Sequence, residues 1–145
     1  MGIKKEGGIF LAYTRTDVKK ILVVEDEILI RSSLARALRK DGYVVSEAKD
    51  HTEALENLKK ESCDLAIVDL YLEDGLHGLS LLREIHQWSP QAKIIVISAF
   101  GTSEVKEAAM MEGIDGFYDK PFEIMEIRNA LVEMLQGIGK ISAKN

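Results

Sequence analysis

The stretch Lys20-Ile21-Leu22-Val23-Val24-Glu25-Asp26-Glu27 decides the fold. Its apolar run from Ile21 to Val24 reads as a strand buried on both faces, as a central parallel strand must be. Three carboxylates follow directly, where such a strand would deliver them to the carboxyl end of a sheet. The pattern repeats downstream. Leu65-Ala66-Ile67-Val68 is followed by Asp69, Ile94-Ile95-Val96-Ile97 by Ser98-Ala99, and the weaker Gly116-Phe117-Tyr118 by Asp119-Lys120-Pro121. Tyr43-Val44-Val45 supplies one more short run. Being shorter and more polar, the second and fifth strands belong towards the edges of the sheet.

Helical periodicities separate these strands. Ile28, Leu34, Ala35 and Leu38 form one inward stripe, with Arg31, Arg36, Arg39 and Lys40 on the other side, and Asp41-Gly42 ends the segment. A second helix starts near Asp50 or His51, with Ala54, Leu55 and Leu58 inward. A third runs from about His77 to Trp88 and is stopped by Ser89-Pro90. The fourth spans about Ser103 to Met111 and the fifth about Glu123 to Leu135. Five β-α units in succession require right-handed crossovers that cover both sheet faces. The expected fold is α/β, a doubly wound (βα)5 three-layer sandwich on a parallel five-stranded sheet. Ligands in such folds sit beyond the carboxyl ends of the strands.

Length and charge narrow the function. The 145 residues suit one domain, with a body over 20–137, an N-terminal arm over 1–19 that is flexible or packed back through Ile9-Phe10-Leu11, and a tail over 138–145. Net charge is −5, but residues 21–136 carry 12 basic and 22 acidic side chains, which argues against direct nucleic-acid binding. No stretch approaches the ~20 apolar residues of a membrane span, and no secretory signal is legible, so a cytoplasmic location is expected. The single cysteine, Cys63, allows neither an internal disulfide nor a multi-thiolate metal site.

The strand ends carry complementary chemistry. Glu25, Asp26 and Asp69 would crowd together and repel unless a cation sits among them. A hard divalent ion suits all-oxygen ligands, and Mg²⁺ takes few protein carboxylates and accepts phosphate oxygens. An aspartate not needed for the metal can act as a nucleophile and form an acyl phosphate. Asp69 would then attack phosphorus, Glu25 and Asp26 would hold the metal or its waters, Lys120 would meet phosphoryl charge, and Ser98 would offer a hydroxyl.

These motifs, with Asp64-Leu65-Ala66-Ile67-Val68-Asp69, Gly78 opening the third helix, Ile97-Ser98-Ala99 and Asp119-Lys120-Pro121-Phe122, resemble the receiver domain of two-component response regulators over about residues 18–137. The resemblance implies the strand order 2-1-3-4-5. It further implies Asp69 as phospho-acceptor and Mg²⁺ (Mn²⁺ could substitute) on Glu25, Asp26, Asp69 and the backbone carbonyl of Tyr71. Ser98 and Phe117 would form a switch pair, and a cis peptide is expected between Lys120 and Pro121. Phe117 stands where the family often has Tyr, so it keeps the ring but lacks the hydroxyl. Tyr71 and Phe100 fall at two positions that tune the phosphorylated lifetime, and their bulk should hinder attacking water.

The implied partners are a sensor histidine kinase or histidine phosphotransfer protein, an output partner or domain, and a second copy docking through the fourth helix, fifth strand and fifth helix. Such a chain is a stand-alone receiver or part of a longer regulator, and at most self-phosphorylating and self-dephosphorylating.

Each motif has a plainer reading alone: Glu25-Asp26-Glu27 could cap a helix dipole, Asp69 could start a turn, and Lys120 could be solvated. Four strand ends with matched chemistry outweigh those readings. Of the rivals, an aspartate-nucleophile phosphohydrolase would want a second Asp two residues past Asp69, where Tyr71 stands. A degenerate receiver serving only as an interaction module would lack some of these groups, and a phosphate-cradling module would not place acids after the first strand. The remaining residues suggest structure. His51, His77 and His86 show no partner spacing, Met110, Met111, Met125 and Met134 read as core filler, Trp88 as a packing anchor, and Cys63 as half-buried.

Overall fold

The structure is a computed structural model in which residues 18–72 and 78–135 are described. The expected arm and tail, apart from Val18 and Lys19, lie outside the described residues, as do His77 and Glu73-Asp74-Gly75. Five strands alternate with five helices: β1 Lys20–Val24, α1 Ile28–Lys40, β2 Val44–Ala48, α2 His51–Lys60, β3 Leu65–Asp69, α3 Gly78–Trp88, β4 Lys93–Ser98, α4 Ser103–Met111, β5 Gly116–Asp119 and α5 Ile124–Leu135. All strand pairs are parallel and the order is β2-β1-β3-β4-β5. This is the doubly wound three-layer fold read from the strand pattern, with the two more polar strands at the edges, although only β5 is shorter than the central ones.

Strand periodicity explains the layers. Successive side chains point to opposite faces. Leu22, Val24, Ala66, Val68, Ile94 and Val96 therefore pack one way, against Leu58 of α2, Leu81, Leu82 and Ile85 of α3, and Ala109 of α4. Ile21, Val23, Leu65, Ile67, Ile95 and Ile97 pack the other way, against Leu34, Ala35 and Leu38 of α1 and Ile127 and Leu131 of α5. Each fully buried Leu, Ile or Val contributes on the order of 1.5–3 kcal/mol of transfer free energy.

Local signals set the boundaries. Asp50 caps α2 by accepting from the Glu53 N–H at 2.8 Å, and the Thr102 hydroxyl caps α4 by accepting from the Val105 N–H at 3.2 Å. Gly42 ends α1 at φ +98°, a conformation that suits glycine. Gly78 answers a different need. A Cβ there would lie 2.5 Å from Leu70 Cα and 2.6 Å from the Asp69 carbonyl, so α3 can start against the end of β3 only without a side chain.

Several expectations were displaced. β2 runs on through Ser46 and Glu47 to Ala48, beyond the apolar run, because Arg31 and Arg39 neutralise Glu47 at 3.3 and 3.1 Å. Ile28 is 64% exposed, since it opens α1 before the helix settles onto the sheet. Met110, Met111 and Met125 face outward; only Met134 packs against a core cluster. Trp88 is 46% exposed and carries Lys59 5.9 Å from its ring centroid, so it is a surface platform rather than an anchor. His51 does have a partner, with Nε2 against Glu84 Oε1 between α2 and α3.

Candidate functional site

The parallel register brings the strand ends to one edge. Val24 lies opposite Val68, Asp69 opposite Ile97, and Ser98 opposite Asp119, so the residues closing or following β1, β3, β4 and β5 converge. Glu25 is fixed by its backbone: its N–H donates to the Ala48 carbonyl at 3.0 Å and its carbonyl accepts from Arg31 at 2.8 Å. Its carboxylate is completely buried, with Oε2 accepting from the Glu27 N–H at 3.0 Å.

Asp69 ends β3 and is buried. Its Oδ1 accepts from the Tyr71 N–H at 3.0 Å and its Oδ2 from Lys120 Nζ at 2.8 Å. The same ammonium stands 2.9 Å from Glu25 Oε1 and 3.8 Å from Glu27 Oε1. The contact with Glu25 is ionic but poorly aligned, and Oε1 is left without a hydrogen bond. One cation thus faces two buried acids and one exposed acid. The Lys120–Pro121 peptide that presents it is cis.

The electrostatics reflect this crowding. Burial pushes the Glu25 carboxyl up to about 7, against the pull of Lys120 and of the Glu27 N–H, with Asp69 adding to the rise. Burial pulls Lys120 down, but its hydrogen bond to Asp69 and the charges of Asp69 and Glu25 outweigh it, and the ammonium is held above its ordinary range.

Carboxylate oxygens of Glu25, Asp26 and Asp69 all lie within 4.8 Å of one another. Hard oxygen donors at that spacing, one of them a buried oxygen lacking a hydrogen bond, fit a divalent cation such as Mg²⁺. Ser98, at the end of β4, is fully buried. Its hydroxyl oxygen accepts from the Phe100 N–H at 3.2 Å, which leaves its proton to donate, and its carbonyl accepts from the Lys120 N–H at 2.9 Å.

Two aromatic features flank the edge. Tyr71 and Phe100 meet edge to face, with ring centroids 5.2 Å apart and planes at 79°. Phe117, in β5, is half-buried against the α2-α3-α4 side of the core, with Lys106 Nζ 5.3 Å from its ring centroid. Glu25, Asp26, Asp69, Tyr71, Ser98, Phe100 and Lys120 therefore sit on or beside this edge, whereas Phe117, paired with Val96, lies two residues back along β5. Sequence reasoning missed Arg31 as the brace on the Glu25 carbonyl, since nothing in its spacing distinguishes it from the other basic residues of α1.

The family model for the response regulator receiver domain matches residues 21–132. The chain belongs to that family. This receiver is 36% identical over 117 residues to the two-component response regulator PhoP of Pseudomonas aeruginosa, across 81% of this chain and 52% of that protein. It is 33% identical to the chemotaxis protein CheY of Bacillus subtilis, across 80% of this chain and 97% of that one. Among solved structures, a response regulator from Burkholderia pseudomallei with a phosphorylated aspartic acid, calcium ion and citrate aligns with a TM-score of 0.73 and 29% identity, over 87% of this chain and 72% of that one. The chain thus spans about half the length of PhoP and most of CheY. Receiver domains are regulatory modules of two-component systems rather than conventional enzymes. No described helix is long and apolar enough to cross a membrane.

Proposed function

We propose that this receiver is a phosphorylation switch whose acceptor is Asp69. The observation that carries the reading is Lys120 Nζ, 2.8 Å from Asp69 Oδ2 and 2.9 Å from Glu25 Oε1, at an edge where three carboxylates gather. The donor is the phosphohistidine of a sensor histidine kinase or phosphotransfer protein. An Asp69 oxygen attacks phosphorus, the P–N bond breaks with its electron pair passing to the imidazole nitrogen, that nitrogen takes up a proton, and an acyl phosphate remains. Lys120 meets the charge on the phosphoryl oxygens, and Ser98 turns its free hydroxyl proton towards them.

Glu25, Asp26, Asp69 and the Tyr71 carbonyl would hold Mg²⁺. When bound, the ion would supply charge neutralisation at the phosphoryl group. The phosphorylated aspartic acid and calcium ion of the Burkholderia structure support this reading.

Phe117 then follows Ser98, and the face built from α4, β5 and α5 changes its affinity for an output partner or a second copy. The receiver body over 20–137 works between an arm and a tail, in the cytoplasm. Tyr71, standing where a phosphohydrolase would carry its second Asp, argues against rapid turnover. The complete set of Glu25, Asp26, Asp69, Ser98 and Lys120 argues against a degenerate module.

Incubation with acetyl phosphate and Mg²⁺, followed by intact-mass measurement, tests the acceptor. Wild type should gain one phosphoryl mass and Asp69→Asn should not. An equal gain in the variant, or none in wild type, overturns the assignment.

A further inference from the structure

Near the start of α4 stands a lysine that the carboxylate site does not use. Lys106 Nζ lies 5.3 Å from the centroid of the Phe117 ring and 3.7 Å from Asp119 Oδ2. Phe117 and Asp119 are two apart in β5, so their side chains leave the same face of the strand and one ammonium reaches both. Gly101 shows how closely this group is packed. A Cβ there would lie 2.7 Å from Asp119 Oδ1, 3.0 Å from Phe117 Cε1 and 3.2 Å from Lys106 Cε, so the loop between β4 and α4 passes the cluster as bare backbone.

α4 alone does not favour a cation here. The start of a helix is the positive end of its dipole and suits acids such as Glu104. What holds Lys106 comes from β5: the negative face of a ring and a carboxylate.

Hydrogen bonds also run from the carboxylate edge to this lysine. The Ser98 hydroxyl oxygen accepts from the Phe100 N–H at 3.2 Å, the Phe100 carbonyl from the Thr102 N–H at 3.0 Å, and the Thr102 carbonyl from the Lys106 N–H at 2.9 Å. A second route closes the circle. Lys106 pairs with Asp119, whose neighbour Lys120 donates its N–H to the Ser98 carbonyl at 2.9 Å and its Nζ to Asp69. Both groups assigned to the phosphoryl oxygens, Ser98 and Lys120, are therefore linked to Lys106.

We propose that Lys106 is a positioning residue that clasps Phe117 and Asp119 in the resting arrangement, a hold that phosphorylation releases. The clasp rests on the acceptor reading of Asp69 and names how that same site is regulated. Phe117 has no hydroxyl with which to bond a neighbour, but its ring face still attracts a cation. Turning the Ser98 hydroxyl towards a phosphoryl group breaks the first link of the chain, and moving Lys120 shifts the residue next to Asp119. Each contact of the clasp is weak, and together they should favour the resting arrangement about fivefold.

NMR on the labelled full chain tests this. At rest the Lys106 ε-protons should be shielded by the Phe117 ring current, and F117L should return them to ordinary shifts. Beryllofluoride with Mg²⁺, a mimic of the phosphoryl group, should remove the shielding in wild type. K106M should bind beryllofluoride about fivefold tighter, because the mimic no longer has to open the clasp. K106R, which keeps the cation, should restore the wild-type affinity, and in an F117L background K106M should gain less than about twofold. Thermal melts check that the variants fold. Unshielded Lys106 protons at rest, equal affinity of K106M and wild type, or an undiminished gain in F117L overturns the proposal. Mass gain from acetyl phosphate reads the acceptor without reference to Lys106. Shielding that survives beryllofluoride in a chain that gains phosphoryl mass therefore overturns the clasp and leaves the acceptor standing.

Discussion

The two ends of the sheet use acidic residues in opposite ways. At the amino end, Asp64 accepts from the Lys20 N–H at 2.7 Å, Asp115 accepts from the Ile94 N–H at 2.9 Å, and Glu61 pairs with Lys20 Nζ. Asp64 and Asp115 each close a ladder end that would otherwise leave a backbone donor open. At the carboxyl end, Glu25 and Asp69 share one ammonium, and a buried Glu25 oxygen lacks a hydrogen bond. Acids of the first kind are finished by the fold. Those of the second kind are held ready for something the fold does not supply.

The largest expected effect tests how rigidly the carboxyl edge is built. Gly78→Ala forces a Cβ against the backbone of Leu70 and Asp69, which cannot yield like a side chain, and should cost about 3 kcal/mol in urea unfolding. A loss below about 1 kcal/mol would show that the edge can give way.

Next comes pH. The folded Glu25 carboxyl titrates near 7 against an ordinary 4.5, so between those values the folded state holds a proton that the unfolded state has lost. Stability of the metal-free protein should fall as pH rises from about 4.5 to 7, by on the order of 2 kcal/mol. Glu25→Gln should flatten that slope, and Mg²⁺ should oppose it, with affinity rising as the proton leaves. A metal-free protein equally stable at pH 5.5 and 7.5 would erase the contrast between the two ends.

Smaller effects are due at the amino end. Asp64→Asn or Asp115→Asn should cost about 1 kcal/mol each, the usual worth of such a hydrogen bond, and Mg²⁺ should not change the loss. A Mg²⁺-dependent loss there would mean that the two ends are coupled.

The smallest effect concerns the aromatic pair. Tyr71→Asn and Phe100→Ala should each raise autodephosphorylation about threefold by admitting water, a change of about 0.7 kcal/mol in the barrier. The double variant should fall short of the product, because each ring packs on the other. Unchanged rates would remove the rings from the site's chemistry.

The contrast also explains what could be read in advance. Strand cores such as Ile94 to Ile97 declare themselves, because burial on both faces permits no polar interruption. The acids after them are legible because a parallel sheet fixes which residues share an edge. What stayed hidden depends on contacts at long sequence separation. Glu47 reads as a loop acid until Arg31 and Arg39 arrive from α1, and His51 reads as alone until α3 brings Glu84. The methionines mislead for another reason: helical spacing places Met110 and Met111 on a helix but does not fix which side meets the sheet, and α4 buries only Ala109.

One connection reaches further than its length suggests. β3 is buried at every residue, whereas β5 has four residues and none fully buried. The Asp69–Lys120 bond joins them across 51 positions of sequence, passing over the end of β4. The frailest strand is thereby leashed to the sturdiest by a single proton-donating arm. Amide exchange along β5 would serve as a gauge of charge on β3, and a covalent event deep in the molecule would announce itself in the strand most ready to loosen.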